Sequence, residues 1–431
     1  MKKLILILAI FSPFLGASQP MVSLKSAIDT MLNHSFEIKI AGNILNINKK
    51  NNTFGMAGGL PAVNINVSDN ESSTNVNQKL NSGVEIKKSS ANGNTMTSNV
   101  TLGMVLFNGF RITATKGRLD HLQKMSELQL NLQIQNSIAT VMAKYYDIIR
   151  QQEYLKIIQF SLEVSQKKLD IVSERRKVGL ANDADYLQAQ IDVNTAQQLI
   201  RTQQLVVDQA KTDLLQLMSR NRYYEYTVND TIVVDRSVEL NTVTRYLEQN
   251  PQYLSAEQQV MINEQIVKEV AALRYPTLRL STGYNMNRSQ SDAGLTLLNQ
   301  NYGPFAGVTL QVPIYNGNAY KIQKETAIYN VDNARLQQQS LLNVLTANAV
   351  KTFHNYSYTF QQIDSQKVTI DMARKLINVV LLRFQVNQAT ILDVKAAQAS
   401  FENSGYQLVN LEYAAKIAEI ELKRLMYQLG N

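Results

Sequence analysis

Alternating apolar and polar residues predict four β-strands, two in each half of the chain. Alternation with a period of two is typical of a strand that has one apolar face. A proline, Pro61 or Pro276, stands before each pair of strands. The same-face positions of the four strands are Val63, Ile65 and Val67; Val100, Leu102, Met104 and Leu106; Leu278, Leu280, Thr282, Tyr284 and Met286; and Val308, Leu310, Val312 and Ile314. The polar segments 69–97 and 287–303 separate the members of each pair, and we interpret them as exposed loops.

Long stretches without proline predict helices after each pair of strands. The first such helix runs from about 110 to 177 and, at about 1.5 Å per residue, is roughly 100 Å long. It ends near Gly179, because glycine readily adopts the positive φ that closes a helix. In the returning helix of each half, apolar residues are spaced three and four apart, with polar exceptions at Gln203 and Ser404. This heptad repeat predicts a left-handed coiled coil.

Shorter helices are predicted before the strands, at about 23–53 and 239–273. Asn250-Pro251 marks an interruption or a start within the second of these, since proline is tolerated at the first position of a helix. Between the two halves, we predict that residues 220–245 form a small segment beside the helices, at the equator of the molecule. It includes strand-like residues at 231–234.

The two halves of the chain repeat one plan. A shift of 208 residues places 100–219 over 308–427 without a gap. The strand-to-helix junctions coincide in this alignment, with Asn108-Gly109 on Asn316-Gly317. The pattern therefore predicts a mainly α-helical protein with a β part, built from two tandem repeats of helix, β-hairpin and long coiled-coil helix pair. The predicted repeats are residues 19–219 and 220–431.

The N-terminal residues 1–18 have the pattern of a secretory signal peptide. Lys2 and Lys3 precede an apolar run from Leu4 to Leu15, which is followed by the small residues Gly16-Ala17-Ser18. The apolar run is too short to span a bilayer as a helix, and a retained N-terminal anchor is the alternative. We therefore expect the mature chain to leave the cytoplasm.

Composition argues against several classes of function. The chain has no cysteine, so disulfides and thiolate chemistry are not expected. The three histidines lie far apart, and no phosphate-binding or nucleophile motif is present, so we predict no metal, no cofactor and no enzymatic activity. The net charge of +8 is spread along helices that also carry acidic residues, a pattern unlike a nucleic-acid footprint.

Four amphipathic strands leave open sheet edges, which a lipid bilayer does not tolerate because the backbone groups at the edge stay unpaired. Three copies of the chain would supply twelve strands, an even number suited to a closed barrel. The pattern therefore predicts a homotrimer with a twelve-stranded barrel in outer-membrane lipid and a long α-helical barrel in the periplasm. The alternative is a periplasmic coiled-coil adaptor or structural protein without a barrel.

The chain resembles the outer-membrane efflux proteins, the TolC-like family, over essentially its whole mature length. The resemblance rests on the duplicated plan, on the two Asn-Gly junctions, and on the segments that join each helix pair. It implies a homotrimeric channel of a Gram-negative outer membrane, with helices extending into the periplasm. Such a channel is the exit duct of a tripartite efflux or secretion system, which passes substrates from an inner-membrane transporter and a periplasmic adaptor, or membrane fusion protein, to the outside.

The resemblance also implies that the segments joining each helix pair, here called the tips, contact the adaptor. The tip candidates are Val178, Gly179 and Leu180 in the first repeat and Val386, Asn387 and Gln388 in the second. The second tip lacks the glycine of the first. Asparagine is the next-best residue for the left-handed conformation, so we expect the turn to persist.

A gate at the second tip is the last implication of the resemblance, with Asp393, Phe384 and Arg383 as candidates. Three copies of Asp393 would form a carboxylate ring that attracts cations. Phe384 and Ala389 occupy the positions of the family's closing tyrosine and arginine, so a different set of gate contacts is expected.

Each charged residue near the tips also has a structural interpretation that needs no gate. Asp185 and Asp393 lie near helix N-termini, where acidic side chains are stabilising. Arg175 and Arg383 lie near helix C-termini, where cations are stabilising in the same way. The sequence leaves the gate and cap roles of Asp393 equally open.

Overall fold

The structure is a computed structural model that describes residues 20–219 and 224–430. The predicted signal peptide, 1–18, lies outside the described residues, as does part of the segment between the repeats. In chain order the elements are α1 (Leu24–His34), α2 (Phe36–Asn51), β1 (Ala62–Lys79), β2 (Glu85–Phe107), α3 (Arg111–Lys177), α4 (Asp183–Leu217), α5 (Leu240–Tyr246), α6 (Pro251–Ala271), β3 (Thr277–Ser291), β4 (Leu298–Gln311), α7 (Ala319–Gln385) and α8 (Ile391–Leu425).

The chain divides into two compact units, each assembled from both halves of the sequence. The helical unit contains residues up to Lys39, Gln133–Asn250 and the residues from Val344 onward. The sheet unit contains Ile40–Leu132 and Pro251–Asn343. The compact units therefore differ from the two predicted repeats, whose boundary at 219/220 stays a prediction.

The sheet unit contains one antiparallel sheet with the strand order β1-β2-β3-β4. The two predicted hairpins are present, and β2 of the first pairs with β3 of the second, from Gly93↔Ser291 to Phe107↔Leu278. Within this chain β1 and β4 are edge strands. The sheet is therefore open, and every strand neighbours the next one in sequence.

The two segments predicted as loops are largely strand, and that prediction was wrong. Pairing in the first hairpin continues to Lys79↔Glu85 and in the second to Gln290↔Leu298. Alternation identifies only strands with one apolar face. Beyond residue 68 polar residues predominate on both faces of the first hairpin. Cross-strand side-chain pairs such as Asn94 with Asp69, 2.8 Å apart, accompany the backbone ladder there.

The two short helical segments differ in detail from their predictions. The segment 23–53 is two helices, α1 and α2, separated at Ser35. The second segment is interrupted before Pro251, which begins α6 as expected. Asn250 is extended and buried there, and its side-chain amide donates to the carbonyl of Leu425 at 2.9 Å. Residues 231–234 form no strand, because their backbone groups find no ladder partner.

The long helices have the predicted extent and repeat along the chain. Adding 208 to the bounds of α3 gives those of α7, and adding 208 to the bounds of α4 gives those of α8. Hydrogen bonds from glutamine side chains accompany both polar heptad positions. Gln203 donates to the carbonyl of Gln151 at 3.0 Å, and the carbonyl of Ser404 accepts from Gln366 at 2.9 Å. Among the described helices, none combines the length and the apolar character needed to cross a membrane.

The segment between the two halves is bound to α8 by a cluster of four charged residues, two of them buried, here called the ion cluster. Lys416 and Glu419, which are 7% and 2% exposed, lie 2.9 Å apart. Lys416 also donates to the carbonyl of Val233 at 2.8 Å. Glu419 accepts from Lys423 at 2.8 Å and from the backbone N–H of Asp235 at 3.0 Å. Lys423 is 3.1 Å from the carboxylate of Asp235, which closes the cluster.

Candidate functional site: the two helix tips

The first tip closes α3 with a Schellman turn. Gly179 has a φ of 77°, in the left-handed region. Its N–H donates to the carbonyl of Arg176 at 3.1 Å, and the N–H of Leu180 donates to the carbonyl of Arg175 at 2.8 Å. These two bonds satisfy carbonyls that the helix end leaves without intrahelical partners.

The second tip closes α7 with the same turn, although it lacks glycine. Asn387 has a φ of 65°, the left-handed conformation expected for it. Its N–H donates to the carbonyl of Phe384 at 3.2 Å, and the N–H of Gln388 donates to the carbonyl of Arg383 at 2.8 Å. The two tips therefore share one backbone geometry despite their different sequences.

Replacing Gly179 with alanine should lower the free energy of unfolding by about 1–2 kcal/mol, because an L-residue in the left-handed region is strained. The new Cβ would meet no atom within 4 Å, so strain alone acts. Asn387→Gly should be neutral or slightly stabilising. Guanidinium unfolding of the purified protein in detergent measures both.

Gly42→Ala is the matched control for this prediction. Gly42 lies within α2, and a Cβ there also meets no atom within 4 Å. Alanine should stabilise that position by about 0.5–1 kcal/mol, because glycine is unfavourable inside a helix. Equal losses of unfolding free energy in Gly42→Ala and Gly179→Ala would contradict the idea that strain arises at the turn.

The helices that leave the tips begin with different caps. At α4 the side chain of Asn182 accepts from the N–H of Asp185 at 2.7 Å. At α8 Thr390 and Asp393 form a reciprocal capping box. The hydroxyl of Thr390 accepts from the N–H of Asp393 at 3.2 Å, and the carboxylate of Asp393 accepts from the N–H of Thr390 at 2.8 Å.

The capping box defines the electrostatics of Asp393. The backbone and hydroxyl of Thr390 donate to its carboxylate and, with the charge of Arg383, lower the pKa of Asp393. The side chain is exposed and ionised at neutral pH. Both hydrogen bonds use one oxygen, Oδ2. The cap role thus has direct geometric support, and the carboxylate ring stays a prediction.

Phe384 and Arg383, the other gate candidates, have opposite environments. Phe384 is 4% exposed and packs with Val394 and Ala189 in an apolar cluster that joins α3, α4, α7 and α8. Arg383 is exposed, and its guanidinium donates to the carbonyl of Gln388 at 3.2 Å. Within one chain Phe384 is therefore a core residue, whereas Arg383 supports the turn of its own tip.

Arg175 connects the two tips. Its guanidinium donates to the carbonyl of Phe384 and lies 4.8 Å from the centroid of the Phe384 ring. That carbonyl also accepts from Asn387 in the second turn. The neighbouring Arg176 instead stays within the first tip, 2.7 Å from Asp183. Spacing along the sequence favoured a simple helix-end role for Arg175 and could not identify this contact.

A buried ion pair that sequence reasoning missed also joins the helices near the tips. Lys168 of α3 is fully buried and donates to Asp192 of α4, and Lys395 of α8 is 3.6 Å from the same carboxylate. Burial opposes ionisation of Asp192. Hydrogen bonds from Lys168 and Gln188 and the two lysine charges outweigh it and lower the pKa of Asp192. The three helices are thus held by one carboxylate.

The predicted strand-to-helix junctions in the sheet unit have matching backbones. Gly109 and Gly317 both have a φ of 67°. At Gly109 a Cβ would lie 2.6 Å from the Cβ of Tyr275 and 2.9 Å from the carbonyl of Ala272, whereas at Gly317 it would meet nothing within 4 Å. Only the first junction requires glycine for close packing as well as for conformation. Asn108 caps α3 by accepting from the N–H of Ile112 at 3.3 Å.

Each tip exposes apolar side chains, and the second also exposes the polar side chains of Asn387 and Gln388. Val178 is 68% exposed, Leu180 is 77% exposed and Val386 is 63% exposed. Elsewhere in the described chain, no group of three or more histidine or acidic side chains is arranged to hold a metal ion. The geometry is that of two hydrogen-bonded turns that present apolar side chains.

Comparison with known proteins decides the family. Residues 30–220 and 242–426 match the family model described as outer membrane efflux protein. The chain belongs to the outer membrane efflux protein family. Membership of this efflux family places the chain in the outer membrane, with its helices extending into the periplasm.

Individual relatives of the efflux family are distant in sequence. The outer membrane protein TolC of Escherichia coli strain K12 is 23% identical over 310 residues, covering 69% of this chain and 62% of that protein. The chain thus aligns with less than two thirds of that relative.

Solved structures of the family agree in fold. A crystal structure of CusC has a TM-score of 0.77 at 17% identity, covering 94% of this chain and 91% of that chain. The CmeC outer membrane channel of Campylobacter jejuni has a TM-score of 0.76 at 14% identity, covering 95% of this chain and 87% of that chain.

Proposed function

We propose that this chain is the exit duct of a tripartite efflux or secretion system, assembled from three copies in the outer membrane. The three sheets close into one twelve-stranded barrel, and the long helices form an α-helical barrel in the periplasm. Substrates enter from an inner-membrane transporter and a periplasmic adaptor and leave to the outside. The chain acts as a passive channel and catalyses no reaction.

The sheet supports assembly in lipid. β1 and β4 are edges within one chain, and open edges are unfavourable in a bilayer because their backbone groups lack partners. Val63, Ile65 and Val67 on β1 are 62–69% exposed, and they alternate with polar residues. Closure by neighbouring copies pairs both edges and leaves the apolar face to lipid.

The helices also carry apolar surfaces suited to a second copy of the chain. On α2, Phe36, Ile40 and Ile44 are 62%, 58% and 46% exposed and follow one another at a spacing of four residues. On α7, Tyr329 and Leu336, one heptad apart, are 70% and 62% exposed. Exposed apolar stripes of this kind mark helix–helix interfaces between subunits.

The tip geometry is the observation that carries the adaptor contact. Two Schellman turns of the same form hold Val178, Leu180 and Val386 in the solvent. Exposed apolar side chains on a rigid turn favour a protein partner, because binding buries them without ordering a flexible loop. The family resemblance at these residues points to the periplasmic adaptor as that partner.

Single-channel conductance in a planar bilayer tests the duct and the role of Asp393. The wild type should show discrete openings and a preference for cations, because three carboxylates would face the constriction. Asp393→Ala should reduce that preference severalfold. Asp185→Ala is the matched control, since Asp185 occupies the equivalent position in the first repeat and should leave selectivity unchanged.

Three outcomes separate the possibilities. Openings with unchanged selectivity in the Asp393→Ala variant would retain the duct and assign Asp393 to the helix cap alone. Equal changes of selectivity in the Asp393→Ala and Asp185→Ala variants would show that the gate is not specific to the second tip. A protein that stays soluble without detergent and never inserts would contradict the duct and favour a periplasmic coiled-coil protein.

A further inference from the structure

A cavity of about 360 Å³ lies in the sheet unit, beside the segment that joins β4 to α7. Two cations line it: Arg274, from the turn before β3, and Lys321, from the first turn of α7. Both residues are exposed, and the ion pairs of the described chain include neither of them. The cavity therefore concentrates positive charge that no described side chain neutralises.

Apolar and aromatic residues line the same cavity. Ile314 and Tyr315 are 89% and 80% exposed, and they follow the end of β4 at Gln311. Tyr320 lies beside them at the start of α7. Tyrosine is enriched at the boundary between lipid and water, because its ring is apolar and its hydroxyl is wet.

The outer-membrane location suggests a ligand for a cavity that has both cationic and apolar side chains. In the proposed duct the sheet lies in lipid and α7 continues into the periplasm, so the junction between them is at the depth of the periplasmic headgroups. Arginine and lysine bind phosphate by charge-assisted hydrogen bonds. A soluble anion would use the two cations and leave Ile314 and Tyr315 in water, whereas a lipid would cover them with its acyl chains.

We propose that the cavity binds an anionic glycerophospholipid of the periplasmic leaflet. Arg274 and Lys321 hold its phosphate, and Ile314 and Tyr315 contact its acyl chains. The bound lipid occupies the junction at which the chain leaves the membrane. This site rests on the proposed function, in which the sheet lies in the outer membrane, and is independent of the adaptor contact and of the gate.

The first repeat provides an internal comparison. The shift of 208 residues aligns Lys321 with Thr113, and alignment of Pro276 with Pro61 places Arg274 on Gly59. The two aligned positions thus carry neither cation. Their presence in the second repeat is not required by the shared strand-to-helix geometry.

Retention of phosphatidylglycerol by the purified full-length protein, measured by native mass spectrometry, tests the site. Arg274→Gln combined with Lys321→Gln should reduce the fraction of lipid-bound protein roughly tenfold or more, because each cation contributes separately to the attraction for an anionic headgroup. The exchange Arg274→Lys with Lys321→Arg keeps both charges and should retain the lipid. Arg111→Gln with Lys324→Gln is the control, since it removes the same charge outside the cavity.

Chemical labelling of Lys321 separates a lipid from a soluble anion. Vesicles containing phosphatidylglycerol should protect this lysine from an amine-reactive reagent, and inorganic phosphate at the same phosphate concentration should not. Protection by phosphate alone would overturn the proposal in favour of a soluble anion. Equal lipid retention by the wild type and the Arg274→Gln, Lys321→Gln variant would also overturn it, as would an equal loss in the control.

Discussion

Replacing Glu419 with alanine is expected to lower the free energy of unfolding by about 3–5 kcal/mol, the usual cost of removing one partner from a buried ion pair. Lys416 is 7% exposed, and its counter-charge is Glu419 at 2.9 Å. Without the carboxylate, the ammonium group stays in a site that water hardly reaches. Lys423 and the backbone of Asp235 also lose their shared acceptor. Guanidinium unfolding of the protein in detergent, followed by helical circular dichroism, measures the loss.

Asp364→Ala is the control for the ion cluster. Asp364 forms an ion pair with Arg236 at 2.9 Å, but both side chains are more than half exposed. Water screens exposed pairs, so this substitution should change the free energy of unfolding little. A loss at Asp364 as large as that at Glu419 would contradict the importance of burial.

The ion cluster also predicts how stability depends on pH. Hydrogen bonds from the hydroxyl and backbone of Ser237, and then from Lys423, lower the pKa of Asp235 to about 2. Burial disfavours the charge of Lys423, but hydrogen bonds to Glu419 and Asp235 outweigh it and raise the pKa of Lys423. Because the pKa of Asp235 is lowered, this carboxylate stabilises the fold above pH 3.8. Its contribution to the free energy of unfolding is lost as the pH falls towards 2. Because the pKa of Lys423 is raised, its ammonium group stabilises the fold below pH 10.5. Its contribution is lost as the pH rises from there through the raised pKa.

Arg175→Ala is expected to raise the resting open probability of the proposed channel by about one and a half to three orders of magnitude, since each ~1.4 kcal/mol is a factor of ten. The substitution removes a charged hydrogen bond, worth about 1.5–3 kcal/mol, and a cation–π contact worth about 0.5–1 kcal/mol. Both contacts join α3 to Phe384 of α7 across the two tips. If the tips separate when the channel opens, the closed state alone loses these contacts. Single-channel recording measures the open probability.

Arg176→Ala is the matched control, because Arg176 is the next residue along the same helix end. It forms an ion pair with Asp183 and lies 4.5 Å from the ring centroid of Tyr186, both within the first repeat. Its removal should leave the open probability unchanged. Identical open probabilities in the wild type and Arg175→Ala would show that the tip contact does not restrain opening.

Much of the helical architecture could be predicted because its signals are local. The heptad spacing, Gly179 and the Asn-Gly junctions each depend on backbone conformation or on neighbours a few residues away. The same reasoning extended to Asn387, whose positive φ replaces the missing glycine. The match between α3 and α7 under one shift follows from the repeat in the sequence.

The strands were predicted only where they have an apolar face. Between Ser68 and Thr97 the first hairpin is held by its backbone ladder and by polar pairs such as Ser68 with Thr97. A polar strand and a polar loop have similar composition, so alternation cannot distinguish them. The pairing of β2 with β3 joins the two halves and likewise has no local signal.

By itself the sequence determined the local conformations: the long helices, the two left-handed turns and the apolar strand faces. It also determined the repeat, because all of these depend on residues close together in the chain. Only the tertiary structure decided which charged groups meet, such as Lys168 with Asp192, or Arg175 with the carbonyl of Phe384. Those partners lie on different helices, and the geometry that brings them together comes from packing, which spacing along one helix does not encode.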